Sequence, residues 1–136
     1  MEDSKGINRG ESMNSADLIA KVREGWEALA AGEMDRLASF YAEEMVFVLP
    51  GQDDILRGRK AFRDALDAIG QALPPGFDIK ALRYAAGENE VVNVIEWTSE
   101  KLQGGSQSAV VFRFNDAREI VEERWFVDTE QWKAAF

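Results

Sequence analysis

After a polar, aperiodic opening stretch, MEDSKGINRGESMN, the apolar positions of this chain fall first at helical and then at strand spacing. Leu18, Ile19, Val22, Trp26 and Leu29 recur at three- and four-residue intervals, with Ser15 placed to cap the start of a helix and Gly32 to end it. Residues 1 to 14 read as a loosely held tail and residues 15 to 136 as one domain. In EMDRLASFYAEE, Met34, Leu37 and Tyr41 share the face of a second, short helix that Tyr41 ends. MVFVLPG is then a strand closed by Pro-Gly, and DILRG a short extended piece. A third helix, RKAFRDALDAIGQAL, carries Phe62, Leu66, Ile69 and Leu73 as one stripe before Pro74-Pro75-Gly76 stops it.

The pattern after Gly76 is β. FDIKALRYAAG, EVVNVIEWTSEKL, SAVVFRF and EIVEERWFV predict four strands, joined by turns at GENE, Gly104-Gly105 and NDAR, with a helical turn at the end. Helices followed by an antiparallel sheet predict an α+β fold, a curved sheet with helices against one face. Centring one turn on Gly104-Gly105 sets Glu96 opposite Arg113 and Trp97 opposite Phe112. Centring the next on Asp116-Ala117 sets Val110 opposite Glu123 and Phe112 opposite Val121. One face then carries Asn93, Ile95, Trp97, Ser99, Val110, Phe112, Phe114, Val121, Glu123 and Trp125, and its aromatics assign it to the helices. The other carries Val92, Val94, Glu96, Thr98, Val111, Arg113, Glu122, Arg124 and Phe126, apolar enough to suggest a partner sheet.

Composition narrows the chemistry. There is no cysteine, so disulfides and thiol catalysis are excluded, and no histidine, so a Ser-His-Asp triad or an ordinary zinc site is excluded too. Acid–base work would fall to carboxylates, Tyr, Lys or water. A net charge of −9 argues against nucleic acid and anionic membranes as partners. No apolar run approaches the roughly 18 residues of a membrane span, and with no signal-peptide pattern the expected location is the cytoplasm.

WEALAAGEMDRLASFYAEEMVFVLPG, followed by LRGRKAF and closed by REIVEERWFVDTEQW, resembles the nuclear transport factor 2-like superfamily, in particular its SnoaL-like, polyketide cyclase-like branch. The resemblance implies a cone, with a bent sheet wrapped around three helices and an apolar pocket inside. It also implies homodimers through the outer sheet face. The known chemistries of the fold do not transfer. Where its steroid isomerases carry a base at the end of the first strand, a Tyr in the first helix and an Asp on a late strand, this chain has Leu49, Gly25 and Val110. Where its epoxide hydrolases carry an Asp on the last strand there is Trp125, and the histidines of scytalone dehydratase-like enzymes are missing.

Glu123 is the candidate catalytic residue, because a carboxylate walled by Val and Trp is desolvated and its pKa moves toward the range of a general base or acid. Its bland alternative is a solvated position at the cone mouth. Asn93 or Tyr41 could polarise a substrate carbonyl, or Asn93 could satisfy nearby backbone and Tyr41 fill core. Trp26, Phe47, Leu49, Trp97, Val110, Phe112 and Trp125 are the expected pocket lining. Asp128 and Gln131 have capping-box spacing, which makes Asp128 a helix cap before it is a catalyst. Asp53 and Asp54 form a weak metal pair, and no metal or cofactor is expected. The leading expectation is a cofactor-free pocket enzyme for a small, apolar, carbonyl-bearing or polycyclic molecule. The rivals are a non-catalytic binding or dimerisation module and an accessory subunit docking through its outer sheet.

Overall fold

The computed structural model describes residues 2–50 and 55–136, the side chains of 2–14 and of 103 excepted. Helix α1 spans Glu2–Ala30, so Ser15 lies within it instead of capping it. Its end is as expected: Gly32 takes a φ of 74°, and the N–H groups of Gly32 and Glu33 return to the carbonyls of Leu29 (3.1 Å) and Ala28 (2.9 Å). Helix α2 is only Met34–Ala38. Tyr41 does not end it but opens strand β1, Tyr41–Val48. Sheet pairing overrides helical spacing here, because the Phe40 carbonyl accepts from the Ile120 N–H at 3.0 Å and Tyr41 stands beside Ile120. Strand β2 is Ile55–Arg57, and helix α3, Arg59–Ala72, buries Phe62 and Leu66.

Strands β3 (Asp78–Gly87), β4 (Glu90–Ser99), β5 (Leu102–Phe114) and β6 (Ile120–Phe126) follow, then helix α4 (Thr129–Ala135). They form one six-stranded sheet in the order β2-β1-β6-β5-β4-β3, antiparallel throughout except that β1 runs parallel to β6.

Register departs from expectation by even numbers. Arg113 faces Glu90 instead of Glu96, and Phe112 faces Val91 instead of Trp97, because the β4–β5 turn is Glu100-Lys101. Gly104 and Gly105 lie inside β5 for other reasons: Gly104 has a φ of 80°, and a Cβ on Gly105 would meet the Glu96 side chain at 2.5 Å. Arg113 pairs instead with Glu122 at 3.2 Å. Across the next turn, Val110 faces Trp125 and Phe112 faces Glu123, two residues from the expected partners. Even slips keep each side chain on its face. Asn93, Ile95, Trp97, Ser99, Val110, Phe112, Phe114, Glu123 and Trp125 are accordingly buried. Val121 is the exception: a bulge between Arg113 and Phe114 brings Ile120 inward, and Val121 is only half-buried.

Asn93 ties α1 to the sheet. Its side-chain oxygen accepts from the Trp26 indole N–H at 2.6 Å, and its amide nitrogen donates to the Arg83 carbonyl at 2.9 Å. Asn93→Ala would strand both partners and is expected to cost about 2 kcal/mol of stability, read by chemical denaturation.

Candidate active site

The packing leaves a cavity of about 380 Å3 between the sheet and the helices. Phe62 of α3 stacks obliquely on Tyr41 and Phe47 of β1, with centroids 4.6 and 5.3 Å away. Trp26 of α1 meets Phe112 and Trp125 edge-on at 6.3 and 6.1 Å. Trp132 of α4 also lines the cavity and packs on Trp97 at 5.1 Å.

Glu123 opens into this apolar space, 5% exposed. The parallel pairing of β1 with β6 sets Phe47 beside it, and β5 sets Phe112 on its other side. One carboxylate oxygen accepts from the Tyr41 hydroxyl, and the other accepts from the Trp125 indole N–H at 2.6 Å. Burial raises its pKa and outweighs the opposing pull of the two donors, leaving it at about 6. The Tyr41 hydroxyl is driven well above its ordinary value by burial and then by the Glu123 charge and hydrogen bond, so it stays protonated. Each carboxylate oxygen keeps a lone pair beyond the one its donor occupies. A desolvated carboxylate with a raised pKa, held through both oxygens, has the chemistry of a general acid or base.

Of the residues singled out in the sequence, Trp26, Tyr41, Phe47, Leu49, Phe112, Glu123 and Trp125 line the cavity. Asn93, Trp97 and Val110 do not; they are fully buried behind it, and the Asn93 amide is already engaged. Ser99 is bonded near the C-terminal helix, its hydroxyl 3.4 Å from the Ala135 carbonyl. Asp128 is the α4 cap, accepting from the Gln131 N–H at 3.1 Å. The reciprocal half of the capping box is not made, because the Gln131 side chain accepts from the Ser106 hydroxyl instead. Asp53 and Asp54 lie outside the described residues; among those described, no cluster of acidic side chains could hold a metal. Many further lining residues are core positions of the helices and β1, and two are of a different kind, Lys21 and Trp132. Lys21 precedes the apolar Val22 on α1, where spacing marks no cavity, and Trp132 falls in a helix too short to show a period.

A sequence model described as a SnoaL-like domain matches residues 22–123. The chain belongs to this SnoaL-like family. Among solved structures, this SnoaL-like domain is similar to Bal32a from a soil-derived mobile gene cassette, at 19% identity and a TM-score of 0.76 over 89% of this chain and 97% of that one. It is similar as well to an LEH-like epoxide hydrolase of M. tuberculosis, at 18% identity and a TM-score of 0.70 over 90% and 91% of the two chains. A third is SalBIII, an epoxide hydrolase/cyclase-like enzyme in pyran ring formation of the polyether salinomycin, with 17% identity, a TM-score of 0.69 and coverage of 89% and 95%. No curated protein matches the sequence. These likenesses establish the nuclear transport factor 2-like cone fold.

Because the folded pKa of Glu123 lies above the ordinary 4.5, the native state holds a proton that the unfolded chain releases between those values. Its contribution to stability therefore falls as pH rises from 4.5 to about 6. Relative to Glu123→Gln, wild-type stability is expected to drop by about 2 kcal/mol across that window. Denaturant melts of both proteins over a pH series give the difference.

Proposed function

We propose that this SnoaL-like domain holds a small, largely apolar, carbonyl-bearing or polycyclic molecule in its cavity and moves a proton on it with Glu123, without metal or cofactor. The observation that carries this reading is the carboxylate itself: desolvated, oriented through both oxygens and open to the cavity. Glu123 would take a proton from carbon beside a carbonyl, the C–H electron pair passing to the carbonyl oxygen as an enolate. Returning the proton to another carbon is isomerisation, and attack of the enolate carbon on a second electrophile is cyclisation. Tyr41 positions the base, fixing its orientation while it remains protonated.

A second reading, ligand binding without turnover, draws on a different observation. Both Glu123 oxygens already have donors, and the Asn93 amide that might polarise a carbonyl is spent on Trp26 and Arg83. The two readings separate on a generic probe of desolvated carboxylate bases, nitrobenzisoxazole, whose ring opens when one proton is removed. The wild type should open it with a rate that rises through a pKa near 6, and Glu123→Gln should lower that rate about 100-fold or more. Equal rates in the two proteins would leave the binding module.

The proposal extends to a homodimer through the outer sheet face, where Val92, Val94 and Val111 are half-buried and Phe126 is 42% exposed. Phe126→Asp is then expected to shift the mass measured by light scattering from two copies to one.

A further inference from the structure

Apart from Glu123, the cavity lining holds one other side chain that is charged at neutral pH among the described residues, Lys21. It projects from α1, and its ammonium donates to the carbonyl of Arg118 in the β5–β6 turn. That bond uses one of three N–H groups. Among the described residues, no carboxylate lies within ion-pair distance of Lys21. Asp17, one turn earlier on the same helix, is held by Arg118 instead.

The placement is unusual for a protein of net charge −9, in which acidic side chains outnumber basic ones by 25 to 16. With no carboxylate partner among the described residues and one N–H on the Arg118 carbonyl, the Lys21 ammonium has two further donors at the exposed margin of an otherwise apolar space. Lys21 shares the lining with Phe40 and Ile120, at the start of β6, and Glu123 lies three residues further along that strand. A ligand spanning the two would meet an ammonium near one end, apolar walls along its body and a proton-transfer group part-way.

We propose that Lys21 determines specificity by pairing with a carboxylate, so that the ligand of this cavity is an apolar carboxylic acid with its acid group at the β5–β6 turn. This rests on the cavity being the ligand site, as argued above, and does not require turnover. The charge-assisted hydrogen bond would form at the exposed margin of the cavity, where the Lys21 ammonium already meets the Arg118 carbonyl, and would therefore weaken as salt is added.

The test compares naphthaleneacetate with its neutral relative naphthaleneacetamide by titration calorimetry. Wild-type protein should bind the acid about tenfold more tightly than the amide, with the ratio falling as salt is added. Lys21→Met, which keeps most of the side-chain volume, should bring the ratio to about one, and Lys21→Arg should restore it. A ratio near one in the wild type, a preference surviving in Lys21→Met, or binding of neither compound would overturn the proposal. Thermal melts of both variants verify that they fold, and the Arg variant carries the test if Met does not. Glu123→Gln should retain or increase the acid preference, since it removes a like charge. Loss of nitrobenzisoxazole opening in Glu123→Gln without any acid preference in the wild type would sink the assignment of Lys21 alone. An acid preference without ring opening would sink catalysis alone.

Discussion

The Glu123 carboxylate has left water for a space walled by Phe47, Phe112 and Trp125, and much of the local architecture answers the cost of that transfer. A bare carboxylate there would shed its charge; two donors let it keep part of its acidity. Those donors come from opposite ends of the chain's history. Trp125 is two residues along the same strand, whereas Tyr41 reaches Glu123 across 82 residues of sequence. The meeting requires β1 to lie parallel to β6, the single parallel pairing in the sheet. Without that pairing, Tyr41 would have no reason to sit beside the carboxylate, and the cavity would lose both an aromatic wall and the fixed orientation of Glu123.

A second buried polar group shows the opposite economy. Asn93 is fully buried like its neighbours Ile95 and Trp97, yet its oxygen and nitrogen are consumed by Trp26 and Arg83. It locks the first helix to the middle of the sheet and so holds the Trp26 wall of the cavity in place. The two groups divide the polar work: one is satisfied and closed, the other satisfied but open to what enters.

Much of this could be read from residue types alone, because strand phase depends on the two-residue period and survives errors of turn position. The Gly104-Gly105 pair looked like a hairpin and is instead a place where Glu96 lies across the strand, a close approach that no local pattern announces. The true turn at Glu100-Lys101 has no glycine to mark it. Since both resulting slips were even, Glu123, Phe112 and Trp125 still faced inward as expected. Val121 failed for a physical reason, since a bulge adds an odd step. Tyr41 failed because helical spacing continued past the point where the chain had already joined the sheet. Its contact with Glu123 is tertiary, and spacing along the chain carries no trace of it. Lys21 was invisible on similar grounds: whether a lysine beside an apolar stripe looks at solvent or into a cavity depends on how far the facing strands stand off.

The hydrogen bond from the Trp125 indole to Glu123 joins a fluorophore directly to an ionising group. Of the other tryptophans, Trp26 and Trp97 donate to an amide and to a hydroxyl, neither of which titrates in the accessible range. Emission from Trp125 is therefore expected to change as its neighbour gains or loses its proton. A built-in indicator of this kind would let the state of the buried acid be followed in solution with no label attached.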